Sequence, residues 1–393
     1  MGERAKSRAL WGARAAAAAL TLGFAAAALR VSAQHGPTAP AAAATSEKPA
    51  PSKYRLALPP YQFQFPRDHA AHPEYQTEWW YYTGHLRQGD RKLGYELTFF
   101  QVGIDPARRS SRSAWALHTL YFAHFALTDE NGKRFHLAET IGRPALGMAG
   151  AATDRYHVWI DDWSARLVSD DTHHLRASGD GYSIDLRLTE RKPPVVHGFN
   201  GVSQKAAGAG RASHYYSMTR LETSGTLTLG EERIPVTGVS WMDHEFGSNQ
   251  LTEEQLGWDW FSLQLDNNRE LMLYVLRRKD GSLEPYSSGT MVHADGTWKH
   301  LPLQAYRIDA TGQWKSPRTG AVYPAGWRVE VPGEKLSLTV TPTVADQEVM
   351  TEGTAGVVYW EGSVEVAGQD QGRPVTGVGY VELTGYTGPV PGI

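Results

Sequence analysis

The chain has 393 residues and a formal net charge of -3, from 39 basic and 42 acidic side chains. No block of like charge stands out, which argues against a nucleic-acid footprint, because that needs Lys and Arg clustered on one face. There is no cysteine, so disulfides, thiolate metal sites, a Cys nucleophile and a lipid-attachment Cys are excluded and the fold must rest on its hydrophobic cores.

Arg4, Lys6, Arg8 and Arg14 accompany an apolar run from Ala15 to Leu29, and Val31-Ser32-Ala33 offers small residues before a cut. This pattern predicts a signal peptide over residues 1–33 and an exported protein, periplasmic or secreted. An uncleaved anchor is the alternative reading, and the absence of a twin Arg disfavours the twin-arginine route. Residues 34–54 are rich in Ala and Pro and read as a linker.

Beyond Tyr54, nearly every segment alternates polar and apolar residues. "TEWWYYTGHL", "LGYELTFFQV", "LHTLYFAHFALTD", "HHLRASGDGYSIDLRLTE", "SGTLTLGEERIPVTGVSW", "GWDWFSLQL" and "KLSLTVTP" read as strands. Asn-Gly in Asp129–Lys133 and Asp-Gly in Ala294–Thr297 signal hairpin turns. No stretch holds a helical period. Short strands at regular spacing, with 40 Gly and 22 Pro between them, predict an all-β sandwich or barrel.

The chain also repeats itself. Ser224–Gly247 matches Glu361–Gly385, sharing "PVTGV" at Pro235 and Pro374, with Gly225 aligned to Gly362. Upstream, "EWWYYTGHL" resembles "GWDWFSLQL". Each half thus opens on an aromatic hairpin and closes on a PVTGV hairpin. Two homologous β-domains are expected, over 55–245 and 246–393.

"EWWYYTGHL", "SHYYSMTRLETSGTL" and "VSWMDHEFGS…GWDWFSLQL" resemble the AttH-like, carotenoid 1,2-hydratase-like family of exported proteins, often called predicted secreted hydrolases. The resemblance covers most of the chain after Tyr61. It implies two consecutive lipocalin-like (calycin) β-barrels, in agreement with the repeat. Barrels of this size can enclose one small apolar ligand.

Three constellations carry possible chemistry. In "SWMDHEFGS", strand alternation puts Trp241, Asp243 and Glu245 on one face and Met242 and His244 on the other. The second copy places Glu382, Leu383 and Thr384 opposite Asp243, His244 and Glu245, so the His is not a requirement of the barrel. A His beside an Asp can be tuned as acid or base; a polar corner between domains is the alternative. In "HPEYQTEWWYYTGHL", Glu78 shares a face with Trp80 and Tyr82, where partial desolvation would raise its pKa. In "GWDWFSLQL", Trp258 and Trp260 are expected to line a pocket or core, and Asp259 to reach the Asp243/His244 corner or cap backbone. Tyr216 and Arg220 are candidates for a ligand's polar end. His118, His124 and His244 make a conceivable three-His metal set, but interior polar His is the preferred reading and no metal or cofactor is expected. No "GxSxG" elbow is present, so a serine hydrolase has little support.

Two functions follow from the resemblance. The first is cofactor-free acid catalysis of hydration or cyclisation at a C=C bond, with Asp243 and His244 as acid pair and Glu78 as alternate. Trp80, Tyr82, Trp241 and Trp260 would line the pocket, where aromatic faces stabilise a developing cation. The second is carriage of a lipid or other apolar small molecule in partnership with an ABC transporter permease.

Overall fold

The structure is a computed structural model that describes residues 54–104 and 117–390. The expected signal peptide and nearly all of the expected linker lie outside the described residues. Within them there is no α-helix, only strands and short 3-10 turns.

Two large antiparallel sheets make the fold. The first has 13 strands between Thr77 and Gly247, and the second has 10 between Gln255 and Leu383. Each curls around its own core, giving two consecutive lipocalin-like β-barrels. The expected boundary at 245/246 falls inside the Glu232–Gly247 strand. Where one face meets water, the strands alternate cleanly. In Tyr182–Glu190, Tyr182, Ile184, Leu186 and Leu188 are buried while Asp185 and Arg187 are exposed. The 3.3 Å rise per residue and two-sided pleat enforce that period of two.

The strands that open and close each barrel behave differently. In Thr77–Gln88 all residues but Trp79 and the last two are buried, on both faces. The inward face (Trp80, Tyr82, Leu86) joins the first core, with Leu97, Phe99, Phe125, Leu186 and Met242. The outward face packs on the second barrel. There Tyr81, Tyr215 and Trp241 meet Trp260, Met272, Tyr274, Leu276 and Tyr380.

The repeat has a packing reason. In each barrel the PVTGV strand pairs with the aromatic strand, Glu232–Gly247 with Thr77–Gln88 and Arg373–Leu383 with Gln255–Leu265. A Cβ on Gly238 would sit 1.9 Å from the His85 carbonyl oxygen, and one on Gly377 would sit 2.4 Å from that of Gln264. His85 and Gln264 are equivalent in the aligned aromatic strands, so the motif's glycine is fixed by the same backbone approach in both copies. The alignment of Gly225 with Gly362 is corrected. Gly225 pairs with Val236 and Gly368 with Val375, so Gly225 and Gly368 are the structural equivalents. The second hairpin turns nearer to its PVTGV, and sequence matching places the gap on the wrong side.

Candidate active site

Strand alternation divides the expected site between two places. Trp241, Asp243 and Glu245 face the second barrel, whereas Met242 and His244 face the first barrel's interior. Asp243 and His244 therefore do not pair, and the expected acid pair is corrected. Glu78, Trp80, Tyr82 and Tyr216 stand with His244 inside the barrel. Trp258 and Trp260 stand with Asp243 outside it.

Between the barrels lies a cleft of roughly 760 Å³, open mouth included. Trp79, Tyr81, Tyr215, Trp258, Trp260 and Tyr274 line it, with Asp243, Glu245, Glu382 and Lys205 as its ionisable groups. Past Tyr81 and Trp258 it continues into an apolar lobe bounded by Phe100, Phe122, Tyr359 and Glu361. An apolar cleft with a few convergent polar groups is what a small-molecule site needs.

Asp243 is buried at the cleft wall, and both its oxygens are held. Oδ1 accepts from Trp241 Nε1–H at 2.7 Å and from the Ser217 hydroxyl. Oδ2 accepts from the Tyr215 hydroxyl at 2.6 Å. Tyr215 is in turn fixed by Trp260 Nε1–H at 3.1 Å, and Ser217 contacts His197 Nε2 at 2.6 Å. Burial pushes the Asp243 carboxyl up to about 7, against the hydrogen bonds from Ser217, Tyr215 and Trp241, with the Glu245 charge adding to the rise. The same donors stabilise the carboxylate once the proton leaves. Such an acid keeps its proton near neutrality and has a prepared conjugate base.

The rest of the wall is charge-paired or carboxylic. Glu245 meets Lys205 Nζ at 3.0 Å, and that ammonium lies 4.4 Å from the Tyr274 ring centre. Glu382, from the second barrel, accepts from Trp258 Nε1–H at 2.8 Å. Tyr81 donates to Glu361, and Thr98 to Glu96, behind them. Burial raises all three of these carboxyls, helped by neighbouring carboxylates: Glu382 for Glu96, Glu96 and Glu382 for Glu361, and Asp243 and Glu245 for Glu382.

Inside the first barrel, Glu78 is the hub of a separate network. Its Oε1 accepts from His72 Nδ1–H and His244 Nε2–H, both at 2.8 Å. Its Oε2 accepts from the His72 backbone N–H at 2.8 Å and Gln101 at 3.1 Å. Tyr216 Oη lies 3.0 Å from His244 Nδ1 and 2.6 Å from His69 Nδ1. The Trp80 ring stacks on His244 with centres 4.9 Å apart, and Tyr82 bonds Tyr156 and His173. Burial lowers His72, but the Glu78 charge and Asp68 outweigh it and raise it to about 9. Burial would raise Glu78, yet the His72 charge holds it below its ordinary value. Burial keeps His244 low, against Glu78, so it is neutral. The hub is therefore a carboxylate paired with protonated His72. The expected raised pKa of Glu78 is corrected, because two imidazoles rather than aromatic carbon surround it. His72, Glu78 and His244 each offer one ligand atom within 4.8 Å of the others and can hold a divalent metal. His124 does not join them, being tied to Tyr359 and Thr354.

Asp259 falls in neither place. It faces the second barrel's interior, 3.0 Å from Arg277 Nε and 3.1 Å from the Tyr386 hydroxyl. Sequence reading also leaves out Trp79, Tyr81, Tyr274, Lys205, Glu361 and His72. A signal for two of them exists: the repeat aligns Trp79 with Trp258 and Tyr81 with Trp260, so choosing the second pair as lining entails the first. Lys205 and His72 arrive from irregular segments and carry no such signal.

Comparison with known families matches an AttH-like model to residues 56–386. A crystal structure of a putative AttH from Nitrosomonas europaea is 33% identical, with TM-score 0.76, covering 84% of this chain and 99% of that one. Kievitone hydratase from Nectria haematococca shares the fold at 15% identity and TM-score 0.63, covering 86% of this chain and 97% of the other. Among curated proteins, the dehydratase asqC of Emericella nidulans is 25% identical over 256 residues, 63% of this chain and 67% of that protein. A family match over most of the chain, on a fold of two consecutive barrels, makes this protein a member of the AttH-like family.

Proposed function

We propose that the protein adds water to, or removes water to form, a C=C bond of an apolar, isoprenoid-like substrate held in the inter-barrel cleft. The observation that carries this reading is Asp243. It is a buried carboxyl with a pKa near neutrality, on an aromatic wall, with three donors ready for its anion. Asp243 exchanges the proton with carbon. It gives the proton in hydration and takes it in dehydration, while Tyr81, Trp258 and Trp260 face the cation formed between. The dehydratase name of the curated relative supports the same chemistry.

The test is incubation of the purified protein with geranyllinalool, a tertiary allylic isoprenoid alcohol, followed by mass spectrometry for the alkene. Alkene formation that is lost in Asp243→Asn is the expected result. Geranyllinalool bound unchanged, and equally well by wild type and variant, would replace this reading with that of a carrier.

A further inference from the structure

We propose that Glu382, supplied by the second barrel, is the cleft's second proton-transfer residue: it holds the attacking water, or the departing hydroxyl, while Asp243 exchanges the proton with carbon. This rests on the cleft being the water-adding or water-removing site proposed above.

The duplication relates the two carboxyls. Asp243 pairs across its sheet with Tyr81, and Glu382 pairs with Trp260, the equivalent of Tyr81 in the second copy. The two carboxyls thus occupy one repeated position, and both turn onto the same cleft. Each takes an indole N–H from its own barrel, Trp241 for Asp243 and Trp258 for Glu382. Their surroundings then diverge. Asp243 is 4% exposed and both its oxygens are occupied. Glu382 is only half-buried, and among the described residues Trp258 is its one hydrogen-bond donor, on Oε2. Oε1 is left as the acceptor that a water or hydroxyl in the cleft can use. The Asp243 charge also raises Glu382, after burial itself, so the pair resists holding two negative charges at once. One protonated and one ionised carboxyl is the composition that acid–base water chemistry requires.

In the hydration direction the Asp243 O–H bond breaks, and the alkene's π pair binds that proton at one carbon. The neighbouring carbon becomes cationic between the aromatic faces. The water on the Glu382 carboxylate attacks through an oxygen lone pair, and its released proton passes to Glu382. Asp243 ends ionised and Glu382 protonated, one water has been added, and exchange with solvent at the mouth resets both. Dehydration is the reverse: protonated Glu382 gives its proton to the leaving hydroxyl, and ionised Asp243 removes the carbon proton.

The two roles separate in one experiment. Geranyllinalool in ¹⁸O-water reports two events, alkene formation and ¹⁸O exchange into the alcohol. Exchange needs loss and recapture of the hydroxyl but no carbon–hydrogen cleavage. Asp243→Asn is expected to lose alkene and keep exchange, and Glu382→Gln to lose both by about a hundredfold or more. Exchange at the wild-type rate in Glu382→Gln, beside an Asp243→Asn that forms no alkene, would overturn the role of Glu382 alone. Neither event in the wild-type protein would overturn the underlying reading instead. Melting curves establish that the variants are folded. Should Glu382→Gln not fold, Glu382→Ala with added formate takes its place. Formate-restored exchange is expected, and full exchange without formate would sink the proposal.

Discussion

Replacing Asp243 with Asn should remove activity and stabilise the fold in the same stroke. The folded protein holds this carboxyl at about 7 against an ordinary 3.8. At about 1.4 kcal/mol per unit, that gap is on the order of 4 kcal/mol of penalty once the group must ionise. The folded state binds the proton more tightly than the unfolded chain. Its contribution is therefore most favourable below about pH 4 and declines by about 1.4 kcal/mol per unit until pH passes about 7. Asn has no such dependence. Its Oδ1 can still accept from Trp241 and Ser217, and the Tyr215 hydroxyl can turn to accept from its Nδ2–H. The stability advantage of Asp243→Asn over wild type should thus grow with pH by up to about 4 kcal/mol across that window. Urea unfolding followed by tryptophan fluorescence, at a series of pH values and with constant m, measures it. Turnover of geranyllinalool should fall by about 10²- to 10⁴-fold in the same variant. A stability difference that does not change with pH would show that Asp243 is not a buried acid of raised pKa, and would remove the basis of the mechanism.

Other outcomes follow from the same contacts. Glu78→Gln should destabilise by up to about 3–5 kcal/mol, because it leaves protonated His72 buried with only the more distant Asp68, at 3.5 Å, as counter-charge; denaturant midpoints test this. His72 has a raised folded pKa, so its pairing with Glu78 stabilises fully below about pH 6.5 and is lost as pH rises through about 9. That decline should shrink in the stability profile of Glu78→Gln, where Asp68 alone still favours the imidazolium. Gly238→Ala should cost about 1–3 kcal/mol in unfolding experiments by forcing the His85 backbone away, and Gly377→Ala should do likewise against Gln264. Trp260→Phe keeps an aromatic face in the cleft but loses the indole N–H that fixes Tyr215, so kcat should drop by about three- to tenfold, measured by steady-state turnover of geranyllinalool.

Sequence patterning alone carried the all-β class, the two-barrel duplication and the family. Strand alternation and repeated hairpins are local properties, and PVTGV keeps the same glycine contact in both halves. Alternation also placed Asp243 and His244 on opposite faces. It could not say which face was the barrel interior, because both faces of the aromatic strands are apolar and buried. One side meets a core and the other meets the second barrel, and hydrophobicity does not distinguish the two. Only the tertiary structure decided that the cleft lies between the barrels. It drew Lys205 to Glu245 and Tyr274 to the same cleft as Asp243, and it brought His72 from an irregular segment to pair with Glu78. Those contacts join residues far apart in the chain, and their pKa values follow from burial and from neighbours that no local pattern records.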